Sequence, residues 1–193
     1  MTTVPSTGAP TVADVVAALR HAPPAIPPRP APDRVIELLL GLHENNARQW
    51  DREDAARRED ADDHAVAQAK RDIDALNRKR HDFVEAIDGA LAAVIDQSQA
   101  APPTTESPGM VFDRLSVLVL RIASTEDAAR RNAGDGDRYA ARVPVLQAQL
   151  ETLQAALEAL FDDLRAGRKR FVPYRGFKLY GGPGPNAGDT RRD

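Results

Sequence analysis

The hydrophobic and polar positions along the chain fall at helical spacing almost throughout. Val35, Leu39 and Leu42 share one face of a helix at about 100° per residue. Asp33, after Pro32, is a good N-cap, so a first long helix is expected from there to about Arg58. A second helix is expected over 63–98, where Ile73, Leu76, Phe83, Val84, Ile87, Leu91 and Val94 recur by threes and fours. Ser107-Pro108 marks a third start, a capping hydroxyl followed by proline in the first turn. That helix is apolar almost all round, should be the most buried, and extends toward Arg131. A fourth runs from Arg138 or Pro144 to Arg165 with Leu146, Leu150, Leu153, Leu157, Leu160 and Leu164 in a heptad seam. The seam suits either an intrachain core or a homodimer. Gly167 suits the C-terminal stop.

These elements predict an all-α fold, an antiparallel bundle of four long helices. The bundle should occupy residues 32–166. Residues 1–31 read as an appendage, with a short amphipathic helix at 11–21. Six prolines among the thirteen residues 21–33 then make a linker that cannot be helical. Residues 167–193 form an irregular basic-aromatic tail, disordered at its end. Six Lys or Arg and no acid lie between 165 and 180, with four of the nine aromatics. Its aromatics are expected to pin it to the bundle while the charges stay wet.

Composition narrows the function classes. The 193 residues are 42% hydrophobic, enough for a core, and the net charge of −3 does not favour nucleic acid. No apolar run reaches the ~18 residues of a membrane helix, and no basic leader precedes an apolar segment. There is no cysteine, so thiolate chemistry is excluded and a cytoplasmic location is expected. No phosphate-binding glycine loop, dinucleotide fingerprint or nucleophile elbow occurs, so no organic cofactor is expected. Glu-x-x-His is absent, which argues against a dimetal bundle. Mg²⁺ held by Glu53, Asp54, Asp74 and Asp88 with a phosphate co-ligand is compatible with the sequence.

The candidate chemistry comes from the first helix. Beyond Leu42 its apolar stripe continues as His43, Asn46, Trp50, Glu53, Asp54 and Arg57. Charges that point inward must be paired with one another or solvated in a cavity. A cavity is the leading expectation, a register-fixing polar network the second, a solvated helix face the third. The second helix adds Arg71, Asp74, Asn77, His81, Glu85 and Asp88. The third adds Asp113, Arg114, Ser116 and Arg121, with Arg57 or Asp74 as expected partners across the bundle.

Four stretches carry a resemblance to a known family: LHENNARQWDREDAAR, KRDIDALNRKRHDFVEAID, ESPGMVFDRLSVLVLRI and FKLYGGPGPN. Together, over residues 34–186, the chain resembles a bacterial family called domain of unknown function 4254. The resemblance implies helical structure and a link to bacterial surface-sugar or glycosyltransferase gene neighbourhoods, with no established reaction. It also implies His43, Asn46, Trp50, Glu53, Asp54 and Arg57 in the first helix. In the second it implies Arg71, Asp74, Asn77, Arg80, Asp82, Glu85 and Asp88. Pro108, Gly109, Asp113, Arg114 and Ser116 follow, then Phe177, Lys178 and Tyr180. His81 stands where the family tends to have Asn, Arg121 replaces Lys, and GGPGPN replaces a more polar turn.

The expected function is binding of an anionic polar small molecule, a phosphorylated sugar, nucleotide or nucleotide-sugar, in an interhelical pocket. Arg57, Arg71 and Arg114 would neutralise the anion, while Asn46, Trp50, Asp74, Asn77, Asp113, Lys178 and Tyr180 would complete the binding set. Glu53, Asp54 and His43 are the acid–base candidates. The rival expectation is a non-enzymatic accessory or scaffold protein for a partner enzyme, with the inward charges as a structural network.

Overall fold

The computed structural model describes residues 31–58, 61–131 and 134–177, together with Leu19. Five helices follow one another: α1 Ala31–Ala56, α2 Asp63–Ala92, α3 Pro108–Arg131, α4 Gly136–Ala140 and α5 Val143–Arg165. No strand occurs among the described residues, where the one isolated bridge joins Pro103 to Arg170. The fold is an all-α bundle, as the periodicity implies. No helix among the described residues is long and apolar enough to cross a membrane.

Each long helix forms where its apolar stripe finds a partner. Val35, Leu38, Leu39 and Leu42 of α1 are buried against Ile87 and Leu91 of α2 and Phe112, Leu115, Leu118 and Ile122 of α3. Nine residues of α3 are buried, against four of α5, so the most apolar helix is the central one. α1, α2 and α3 all approach one another closely. Among the described residues α5 approaches only α3 and the short α4, so it lies on the far side of α3 rather than closing a symmetric four-helix ring. The leucine seam faces inward: Leu150, Leu157 and Leu164 are buried, and the Phe161 ring lies 6.0 Å from Phe112. The seam is therefore occupied within the chain.

The helix ends follow local chemistry. Asp62 caps α2 by accepting from the Ala65 N–H at 2.7 Å. α2 stops at Ala92, six residues before the expected end. The chain beyond it is recruited by the tail: Gln97 Oε1 accepts from the Phe171 N–H at 2.6 Å, and Pro102 O accepts from the Arg170 N–H at 3.1 Å. Gly167, at φ 67°, ends α5 in the left-handed conformation that glycine adopts at no steric cost.

The segment after Gly167 is docked as far as it is described. Phe171 enters the core, and the Tyr174 N–H donates to Asp88 Oδ2 at 2.8 Å. Arg175 pairs with Glu85. Phe177 is 89% exposed, so the expected aromatic pinning fails there. Of the N-terminal 1–31 segment, Leu19 is described and is buried in the core, so the expected appendage contributes to the bundle. Residues 21–30 of the proline-rich linker and the end of the tail lie outside the described residues. The linker's last three residues, Pro32 among them, form the first turn of α1, two residues before the expected start at Asp33.

Candidate functional site

The polar stripe of α1 is carried inward by its own period and then released. Asn45 and Asn46 are buried, Trp50 is half-buried, and the Glu53 side chain is 36% exposed. One turn further the Arg57 side chain is 68% exposed. The stripe therefore starts inside and ends in water, and Asp54 and Arg57 lie beyond the point of emergence.

At the buried end five side chains form one network. Asp113 of α3 receives Arg80 of α2 through both oxygens, Nε to Oδ1 at 2.8 Å and Nη2 to Oδ2 at 2.5 Å. Asn46 Nδ2 donates to Asp113 Oδ1 at 3.0 Å and to Ser116 Oγ at 3.1 Å. His43 Nδ1 lies 3.0 Å from the same Ser116 hydroxyl. The two-pronged guanidinium contact is the geometry that fixes a planar carboxylate best. The Asp113 hydrogen bond, and then its charge, hold the Arg80 pKa above its usual value against the effect of burial; Glu53 adds to it. Burial pushes the His43 imidazole below its usual range, so it is neutral near pH 7.

Above this network is a cavity of about 170 Å³. Its wall is Asn46, Gln49, Trp50 and Glu53 from α1, Arg80 from α2, and Val117, Leu120 and Arg121 from α3. Three- and four-residue steps on α1 and α3 aim both sets of side chains into the same space. Two side chains of its wall carry a buried oxygen that has no hydrogen-bond donor among the described residues, Asn46 Oδ1 and Gln49 Oε1. Their orientation is fixed, because the amide nitrogens already donate, Asn46 to Asp113 and Gln49 to Glu53 Oε1 at 3.4 Å. A buried carbonyl oxygen without a donor costs about 1–3 kcal/mol. Arg121 is exposed, and its guanidinium forms no ion pair with a described residue.

The structure brings together only part of the expected site. Asn46, Trp50 and Glu53 line the cavity, and Asp113 and His43 support it from behind. Asp54 is exposed and faces Arg57 at 3.5 Å, while Arg57 turns back to Glu53 at 2.7 Å. Arg71 is exposed and donates to Gln68, and Asp74 is exposed and accepts from Lys70 at 2.7 Å. Asn77 is half-buried and takes no part in the cavity wall. Arg114 points away from the cavity and pairs with Glu106 at 3.0 Å. The expected anion clamp of Arg57, Arg71 and Arg114 is thus not assembled, because the three lie on separate faces. The expected pairing of Asp113 or Arg114 with Arg57 or Asp74 is also replaced, by Arg80 and Glu106. Lys178 and Tyr180 lie outside the described residues. No group of three or more His, Asp or Glu side chains able to hold a metal ion occurs among the described residues. The four carboxylates weighed for Mg²⁺ are therefore not gathered.

Periodicity did not single out Arg80, Gln49, Val117 or Leu120; Arg121 was among the third-helix candidates, and Arg80 was named only through the family resemblance. The signal for Arg80 was present: Ile73, Asn77, Arg80, Val84, Ile87 and Leu91 follow steps of four and three, so Arg80 stands on the apolar stripe of α2 itself. A charge in that register has to meet another charge inside.

A helical bundle whose α1–α2–α3 junction holds an Arg–Asp pair and a polar cavity is the setting in which the chain's relatives can be named. The family described as "Protein of unknown function (DUF4254)" matches residues 36–172, and the chain belongs to that family. No curated protein and no solved structure matches the chain.

Proposed function

We propose that the chain binds an anionic polyol of the phosphorylated-sugar class in the cavity of Asn46, Gln49, Trp50, Glu53, Arg80 and Arg121. The observation that carries this reading is the gathering of Asn46, Gln49, Trp50, Glu53, Arg80 and Arg121 around one cavity, with no ion pair from Arg121 to a described residue. Hydroxyl groups would donate to Glu53 and lie against the Asn46 and Gln49 side chains. The phosphate would take the Arg121 charge, with Arg80 beside it. The Trp50 ring offers an amphipathic wall for a sugar face. Room for about five waters, at roughly 30 Å³ each, matches a ring-sized group rather than a whole nucleotide-sugar. Any acid–base step on the ligand would fall to Glu53, the carboxylate of the cavity wall, with its carboxyl cycling between accepting and donating a ligand hydroxyl proton. His43 and Asp113 act as positioning residues in this reading.

A second reading has its own support. Both Asp113 oxygens are occupied by the protein, as expected of a network that fixes helix register in an accessory protein. The two readings part at Trp50. It is the single tryptophan of the chain, so its emission reports on the cavity without labelling. Titration with a panel of hexose phosphates is expected to give a saturable emission change and a raised melting temperature. Ligand at 100 times its Kd adds about 2.7 kcal/mol. Arg121→Gln is expected to weaken the binding at least about 10-fold, a loss of about 1.4 kcal/mol. A flat panel by both readouts overturns the ligand reading in favour of the accessory one.

A further inference from the structure

The polar cavity shares part of its wall with a second concavity. A groove of about 1,020 Å³ lies between α3 and α5, and Arg80, Val117 and Arg121 belong to the walls of both. On α5 it is floored by Pro144, Val145, Ala148, Leu153 and Ala156. Val145 is 59% exposed although it is a large aliphatic side chain, so this face of α5 is not covered by the described residues. The reason lies in the fold: α5 packs on α3 and reaches neither α1 nor α2, which leaves its flank uncovered.

The charge along this groove is one-sided. Arg80, Arg114 and Arg121 contribute to its wall and no Asp or Glu does, in a chain with 29 acidic and 26 basic residues. Arg80 and Arg114 are paired with Asp113 and Glu106, and Arg121 is not paired with a described residue. An apolar trough that shares two arginines of its wall with a polar cavity has the profile of a molecule with three parts. From Pro144 to Ala156 the trough is about 18 Å long, at about 1.5 Å per helical residue. An extended chain gains about 1.2 Å per bond, so the trough takes about fifteen bonds.

Resting on the reading above, we infer that the ligand carries an apolar chain: a phosphorylated polyol whose sugar-like part occupies the α1–α2–α3 cavity, whose phosphate lies at Arg80 and Arg121, and whose alkyl chain lies in the α3–α5 groove. A partner helix, about 10 Å across, covers the groove but cannot enter the 170 Å³ cavity. Only a thin chain ending in a small polar group fills both spaces and places its charge at the residues they share.

The test uses the full chain, with calorimetry and Trp50 emission, and two probes below their micelle concentrations: a hexose phosphate and dodecyl phosphate. Dodecyl phosphate is expected to bind at least about 100-fold more tightly, since each buried methylene adds substantially to affinity, and the two probes are expected to compete. Ala148→Phe, at an exposed position on the groove floor, is expected to weaken dodecyl phosphate at least about 10-fold while leaving the hexose phosphate unchanged. Arg121→Gln is expected to weaken both. Hexose phosphate binding with no gain from the chain, or with a gain that Ala148→Phe does not reduce, overturns the inference and keeps the cavity reading. Dodecyl phosphate binding that Ala148→Phe weakens, with no hexose phosphate binding, upholds the groove and overturns the polyol reading. A dimer of the wild-type chain that Ala148→Phe dissociates shows the groove to be covered by a second copy and overturns the inference. No binding of either probe overturns both.

Discussion

Two buried aspartates, Asp88 on α2 and Asp113 on α3, solve the same problem in opposite ways. Asp88 is fully buried and is met by the backbone. Its Oδ1 accepts from the Gly109 N–H at 2.7 Å and its Oδ2 from the Tyr174 N–H at 2.8 Å, and Ser107 adds a third contact. Burial raises its carboxyl pKa, and these hydrogen bonds pull it back only in part. Asp113 is met by side chains instead, Arg80 and Asn46, at the edge of a cavity. A carboxylate satisfied by backbone N–H groups ties segments together: here the start of α3 and the C-terminal strap to α2. One satisfied by a guanidinium and an amide leaves those same groups facing a space that a ligand can enter. The difference teaches that burial of a charge alone does not mark a site; what matters is whether its partners also face an opening.

The comparison is broken most violently at the closed end. Asp88→Ala leaves the buried Gly109 N–H and the half-buried Tyr174 N–H without acceptors and is expected to cost about 3 kcal/mol in urea unfolding. Gly109→Ala is expected to cost about 3 kcal/mol, because a Cβ there would lie 2.7 Å from the Val84 carbonyl oxygen and 2.8 Å from Asp88 Oδ1. At temperatures where either variant is folded, hexose phosphate affinity should match the wild type. A loss of affinity would show the two ends to be coupled.

At the open end the effect on stability is smaller and the effect on binding larger. The Arg80 and Asp113 side chains are 28% and 12% exposed, so water screens part of their attraction. A double-mutant cycle of Arg80→Ala and Asp113→Ala is expected to give a coupling of about 2 kcal/mol. Coupling below about 0.5 kcal/mol would remove the pair from the list of stabilising contacts.

The acid response separates the same two regions. Burial lowers the His43 pKa, so the folded chain takes up a proton there less readily than the unfolded chain. Its effect on stability is nil above the unfolded value of about 6.5. As pH falls below that value the unfolded chain binds the proton first, and stability drops until the folded pKa is passed. Asp88 has the opposite sign: its penalty for being charged is present at neutral pH and is relieved as pH falls through its raised folded pKa. His43→Gln should therefore lose less stability than the wild type when melting is compared between about pH 7 and pH 5. Parallel curves would show that His43 is protonated equally in both states.

Glu53→Gln is expected to have the smallest effect on folding, within about 0.5 kcal/mol. Its partner Arg57 is exposed, and such pairs contribute little. A drop of ~3 kcal/mol would instead make Glu53 a structural ion-pair member.

Much of the fold was legible in the sequence because helix formation is local. Ser107-Pro108 set the start of α3, Gly167 ended α5, and the leucine steps named the buried face of α5. The period of α1 also located His43, Asn46, Trp50 and Glu53 on one stripe. The family was legible too, from four ordered stretches. Three decisions were not local. The depth at which α1 leaves the core separated Glu53 from Arg57, and depth depends on where α2 and α3 end their cover. The choice of Arg80 rather than Arg57 for Asp113 depends on the rotation of α2 against α3, which side-chain packing sets across 33 residues of chain. The placement of α5 on the outer side of α3 depends on how the whole core fills. Periodicity fixes which side chains share a face, because each face is written within a few residues. Only the packed tertiary structure fixes which faces meet, because that choice is made by shape and charge between segments that the sequence keeps far apart.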